Sequence, residues 1–208
     1  MSKPNSGPSP PRDPASAAPL SRKHVVLAWL WVGLCTLGIF LTVPVARSVR
    51  NYVEERWGLS VFGFSVLAAV AIALAGLVYL LWFRWRVRDF PRYLWLVLVA
   101  ATYVYFTLKL WKRPEEAIHF LEYGLLGFLL FRALRFRIPD HGVFLAAFLV
   151  GATVGIFDEV LQWIIPLRYW DFRDVGLNAL SSGLSQVAIW KGIQPPLRKS
   201  GIGRRSFR

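Results

Sequence analysis

The sequence predicts an all-α, polytopic membrane helix bundle of about six transmembrane helices, with both termini in the cytoplasm. Three observations carry that prediction. First, 55% of the 208 residues are hydrophobic and the mean hydropathy is +0.44. The excess lies in blocks of about twenty residues, the length a helix needs to cross roughly 30 Å of hydrocarbon. Second, Lys and Arg alternate between the gaps. Seventeen of the 25 fall on one side of a six-span arrangement (segments 3–23, 84–92, 132–137 and 191–208) and eight on the other (47–56, 109–113 and 168–173). Cytoplasmic loops carry the basic excess, so both termini are assigned inside. Third, eight of the ten Trp (57, 82, 85, 95, 111, 163, 170 and 190) stand within a few residues of a block end, where an amphipathic ring prefers to sit.

In chain order, residues 1–21 are rich in Pro, Ser and Ala and read as unstructured. The blocks follow at about 24–45, 59–83, 93–111, 116–136, 143–165 and 174–190. The first is long for a cleaved leader, and its small-residue end, Pro44-Val45-Ala46, puts Pro where a small residue is wanted. It reads as an anchor. Spans one and two hold no ionisable side chain in their middles. Their Ala71, Ala75 and Gly76 suit close helix packing. Span three adds Thr102, Tyr103 and Tyr105, with Lys109 able to snorkel to the surface. The net charge of +13 is distributed as a topology signal, which argues against nucleic acid as partner. The single cysteine, Cys35, excludes an intrachain disulfide.

The last three spans carry the chemistry. In span four, His119, Glu122 and Tyr123 share one helical face, which Gly127 continues. Span five repeats Gly151, Gly155, Glu159 every four residues, with Asp158 and Gln162 on the adjoining strip. Span six begins with a polar stripe of Asp171, Asp174, Asn178, Ser181 and Ser185. Topology puts the start of span four, the end of span five and the start of span six on the outer side. His119, Glu122, Tyr123, Asp158, Glu159, Gln162, Arg168, Arg173, Asp174 and Asn178 are therefore expected at one depth. A charge at the middle of a spanning helix costs on the order of 3 kcal/mol, so the acids are expected to be paired, hydrated or protonated, with Arg168, Arg173 and His119 as partners. His119, Asp158, Glu159 and Asp174 are the candidates for acid–base work. Glu122, Tyr123, Gln162, Arg168, Arg173 and Asn178 are the candidates for holding a substrate.

The segments HFLEYGLLGFLL, GIFDEVLQWIIPLR and DFRDVGLNALSSGL resemble the three motifs of VanZ-like membrane proteins, over about residues 93–190. The matching positions are His119, Phe120 and Tyr123; Asp158, Glu159 and Gln162; and Arg168, Asp171, Asp174 and Asn178. Glu115-Glu116 stand where the family often has Asp-Lys, and Ser181 stands where it usually has Gly. The resemblance implies a bacterial envelope protein, in a family whose founding member is linked to low-level resistance to the glycopeptide teicoplanin. It divides the chain into the N-terminus 1–21, two additional helices in 22–92, a VanZ-like four-helix region in 93–191 and a basic cytoplasmic tail, 192–208.

Three functions stay open. An enzyme would use His119 and one of Asp158 or Glu159 to exchange protons on a lipid-linked or envelope substrate, while Arg168 and Arg173 hold an anionic group. A binding protein would capture an amphiphile, a lipid or a glycopeptide without chemistry. A transporter or structural subunit is the third, and the one-sided polar belt, without an inverted repeat, gives transport little support. The bland alternative is a hydrogen-bond network that sets helix register. Membrane lipids are the expected surroundings, the bacterial cytoplasmic membrane the expected location, and no cofactor is expected. A metal at His119, Glu122, Asp158 and Glu159 lacks a compact ligand motif, so none is assigned. The serines and Gly151 and Gly155 read as packing.

Overall fold

The structure is a computed structural model that describes residues 22–58, 60–164, 170–193 and 197. Arg168, the segment 1–21 and all of the tail beyond residue 193 except Leu197 lie outside the described residues, as does the side chain of Glu115. Six helices follow one another: α1 (Arg22–Trp57), α2 (Ser60–Tyr79), α3 (Phe90–Lys109), α4 (Pro114–Leu134), α5 (Gly142–Ile164) and α6 (Phe172–Val187). A π-helical turn, Leu80–Arg84, continues α2, and another, Ala188–Ile193, continues α6. Among the described residues there is no strand.

Local chemistry explains the boundaries. Gly58 ends α1 at φ +81°, a conformation that glycine adopts without steric penalty, and its N–H reaches the Glu54 carbonyl at 3.1 Å. Pro91 and Pro114 sit in the first turns of α3 and α4, where a missing N–H breaks no helical bond. Asp140 caps α5 by accepting from the Gly142 N–H at 2.9 Å. Asp171 caps α6 in the same way, from the Arg173 N–H at 2.8 Å.

The largest departure from expectation is α1. Its apolar span covers Arg22–Thr42, but the helix runs through Pro44 to Trp57. At 1.5 Å per residue its 36 residues reach about 54 Å, well beyond a bilayer core. Pro44 removes one backbone bond, but the following turns hold good helix formers, with Arg50 and Glu54 one turn apart at 3.9 Å.

Among the described residues, five helices are long and apolar enough to cross a membrane. The exterior is apolar: Ile72, Phe90 and Trp163 are all more than 60% exposed, as lipid-facing side chains would be and as a water-soluble surface rarely is. α4 is the hub, with 44% of its span buried against 17% for α1 and α2. It packs on α6, α1 and α5, while α2 and α3 pair beside it. One apolar cluster joins α1, α4 and α5, with Phe131 stacked on Phe144 at 5.3 Å. The other joins α2, α3, α4 and α6 around Phe120 and Tyr103. α6 falls short of the apolarity of a span because its buried face is Asn178, Ser181, Ser182, Ser185 and Gln186.

Candidate functional site

Small residues let α4, α5 and α6 come close enough to surround polar groups. A methyl added at Gly124 would overlap the Tyr103 hydroxyl. At Gly127 it would overlap the Ser185 hydroxyl, and at Gly151 that of Ser182. At Gly155 it would lie 3.0 Å from Asn178 Cβ and 3.6 Å from the Tyr123 ring. These glycines are packing positions. Ser181, where the family motif usually has Gly, donates to the Phe120 carbonyl and shares a 2.9 Å hydrogen bond with the Tyr103 hydroxyl. Gln186 donates to the Gly127 carbonyl at 2.9 Å. The serine and glutamine stripe therefore joins α6 to α3 and α4.

At one end of this interface lie Asp158 and Glu159, only 0% and 1% exposed. The Gln162 amide donates to both, at 3.3 Å to Asp158 and 3.1 Å to Glu159, and the Asp171 N–H donates to Glu159 at 3.4 Å. The buried Tyr123 ring faces Asp158, without a hydrogen bond of good geometry to it. His119 lies within electrostatic range of both acids, and its Nδ1 is 3.0 Å from Glu122 Oε2. Asn178 is buried against Gly155 and Tyr123.

Arg173 was expected to partner acids of the cluster. Its guanidinium reaches Glu116 at 2.5 Å, Asp174 at 3.5 Å and Asp171 at 3.9 Å, and not the Asp158–Glu159 pair. The cause is geometric: Arg173 is in the first turn of α6, level with the first turn of α4 where Glu116 stands. Arg113 joins the same carboxylate at 3.0 Å, and this hydrogen bond raises the Arg113 pKa. Glu116 was missed as a site residue, although its place one turn before His119 puts it on the same face. Tyr103 and Gln186 were also missed; a lone Tyr or Gln in an apolar run carries no spacing signal.

His119 and Glu122 also line a partly open cavity of about 120 Å³. Its remaining wall is Thr42, Val45, Val49 and Arg50 of α1, Phe62 of α2 and Ile118 of α4. The site thus has two compartments: a sealed acid pair, and an accessible cavity reached through His119. Among the described residues no three His, Cys, Asp or Glu side chains are grouped to hold a metal ion.

A model of the VanZ/LLP1 family matches residues 70–191. The chain belongs to the VanZ/LLP1 family. The VanZ/LLP1 match starts at residue 70, inside α2, so it takes in more of the chain than the motif-bearing segment 93–190. It spans every helix that contributes to the sealed acid pair and leaves α1, one wall of the cavity, outside. No curated protein and no solved structure matches the chain.

Proposed function

We propose that this VanZ/LLP1 protein spans the bacterial cytoplasmic membrane six times with both termini inside, and performs acid–base chemistry at its outer face on a lipid-linked or envelope substrate. The observation that carries this reading is the buried Asp158–Glu159–Gln162 group within electrostatic range of a histidine that lines a partly open cavity. A sixth crossing is supported by length: Phe172–Ile193 is 22 residues, about 33 Å of helix. Its polar face lies against α4 and α5, so low apolarity is no obstacle to insertion.

In this mechanism His119 exchanges the proton, because it alone of the three touches the cavity. Asp158 and Glu159 are positioning residues within electrostatic range of the imidazole, and the carboxylate in contact with it is Glu122, 3.0 Å from Nδ1. Gln162 and the Asp171 N–H fix the carboxylates. Arg173, bridging Glu116 and Asp174, holds the start of α6 against α4, and Arg168 offers a cation to an anionic group. The teicoplanin link of the family would follow if the substrate is an envelope precursor whose alteration reduces glycopeptide access.

His119→Gln is expected to lower turnover by about 10²- to 10⁴-fold with expression unchanged, and Asp158→Asn and Glu159→Gln to lower it as well. The assay incubates purified protein with lipid-linked envelope precursors and seeks new products by mass spectrometry, alongside glycopeptide susceptibility of cells. Full activity in all three variants ends the reading. A second reading, capture without chemistry, is favoured by the complete enclosure of both acids. Retention of an unchanged ligand, with no product, would establish it.

A further inference from the structure

The segment Leu80–Arg92 turns the chain from α2 into α3, at the end of the bundle opposite His119. Its sequence, LLWFRWRVRDFPR, alternates arginines with large rings and holds one acid, Asp89. Arg92 takes that acid at 3.0 Å. Arg84, Arg86 and Arg88 are exposed, and none of them forms an ion pair among the described residues. The turn itself is well held. The Trp85 N–H donates to the Leu80 carbonyl at 2.9 Å, and the Val87 N–H to that of Leu81 at 2.8 Å. From α3 the Tyr93 hydroxyl donates to the Val87 carbonyl at 2.7 Å. The Arg88 guanidinium lies 3.6 Å from the centre of the Trp82 ring, a cation–π contact that orients the cation and leaves its charge in place. Arg86 stands at φ +53°, the one non-glycine residue with positive φ among the described residues. Glycine is what ends a helix in that conformation without steric cost, so the arginine puts a guanidinium at the turn against that preference.

Three cations within five residues call for an anion, and the rings say which kind. Phe83, Trp85 and Phe90 are 64%, 52% and 73% exposed. A soluble anion would meet the guanidinium groups and leave these rings in water. Acyl chains alone would cover the rings and leave the charges. The apolar span through α2 ends at Arg84, which sets the turn at the depth where Trp sits among headgroups. Planar guanidinium forks match the oxygens of a phosphate.

We propose that the α2–α3 turn is a binding site for an anionic phospholipid, with Arg84, Arg86 and Arg88 on its phosphodiester and the exposed rings beside its acyl chains. Orienting the chain in the bilayer needs only positive charge, which lysine would supply as well. The stacking of Arg88 and the backbone of Arg86 have no reason in that role, and both have one in a phosphate site. The turn lies at the far end of the bundle from the His119 cavity, so the site stands apart from the proposed acid–base chemistry.

The test exposes purified full-length protein to vesicles containing equal amounts of phosphatidylglycerol and phosphatidylcholine with identical chains. Native mass spectrometry then counts the retained lipid. The wild-type protein is expected to favour phosphatidylglycerol about tenfold, as one charge-assisted contact gives. Arg84→Gln with Arg86→Gly should erase most of that preference. Arg132→Gln with Arg137→Gln removes the same charge at the same end of the bundle, from the last turn of α4 and just beyond it, and should leave the preference intact. Arg86→Gly alone separates binding from folding: the preference should fall severalfold while the melting temperature in detergent holds or rises, because glycine suits the positive φ. Arg84→Lys with Arg88→Lys keeps every charge and should still lower the preference, since an ammonium lacks the fork. His119→Gln should leave it unchanged. Equal retention of the two lipids, equal loss in the two glutamine-bearing double variants, or a preference undiminished in Arg86→Gly overturns the site. Displacement of the lipid by an equal concentration of glycerol phosphate overturns phospholipid as the occupant in favour of a soluble anion.

Discussion

Gly151 shows how a missing side chain shapes this protein. A Cβ there would overlap the Ser182 hydroxyl, lie 3.1 Å from Ser182 Cβ and 3.5 Å from Leu130. Gly151→Val must push α5 from α6 or twist both side chains, an overpacking penalty of about 1–3 kcal/mol. It is expected to lower the melting temperature in detergent, and Ser182→Gly in the same chain should recover part of the loss. Gly33→Ala and Gly38→Ala, with nothing within 4 Å, should leave it unchanged or slightly raised. A melting temperature unmoved by Gly151→Val would show that this interface is looser than its geometry. The four-residue spacing of Gly151, Gly155 and Glu159 made a close helix approach legible in the sequence. Its counterpart was not, since Ser181, Ser182 and Ser185 suit packing and chemistry equally until α6 is placed. The Arg173–Glu116 pair, 57 residues apart, was hidden for the same reason: which cation meets which acid is decided by the register between helices.

Among the elements, α6 depends most on a single residue at its start. Asp171 accepts from the Arg173 N–H at 2.8 Å, while its own N–H donates to Glu159 at 3.4 Å. One residue thus starts α6 and anchors the buried end of α5. Asp171→Ala removes the cap but leaves the backbone donor, so it should cost about 1 kcal/mol. Asp171→Asn, which keeps a side-chain oxygen, should cost less. Hydrogen exchange is the measurement: amides in the first turn of α6 should exchange faster in the alanine variant, with those near Ser182 unaffected. Acceleration along the whole helix would mean that Asp171 holds α6 in place and not merely its first turn. The motif spacing made this start readable, since Asp171 and Asp174 open a polar stripe. The extra turns of α1 beyond Val45 were not readable, because residues 46–57 are polar enough to pass for a loop, and only the walls of the cavity give that extension a reason.

At the scale of the molecule, the exterior is apolar, unlike that of a water-soluble protein, and the mainly apolar interior also holds Asp158, Glu159, Asn178 and the α6 serines. Block length and hydropathy sufficed to read the order of the helices, each apolar stretch being long enough to state its own structure. Orientation rests on the alternation of Lys and Arg, an insertion bias and not a contact, so labelling is the way to test it. In a Cys35→Ser background, Lys112→Cys stands between α3 and α4, beside the His119 end of the bundle, and Arg137→Cys stands after α4 at the opposite end; both positions are exposed. A membrane-impermeant maleimide should modify Lys112→Cys in cells whose outer barrier alone is opened, and Arg137→Cys only after lysis. Lys191→Cys, on the continuation of α6, tests the sixth crossing: if α6 spans the bilayer this position too is protected until lysis. The reverse pattern at 112 and 137 would turn the bundle over and direct the cavity to cytoplasmic substrates. Early labelling at 191 alone would keep the cavity outside but make α6 a helix that enters and leaves on one face. Its polar stripe would then serve to hold a re-entrant segment between α4 and α5.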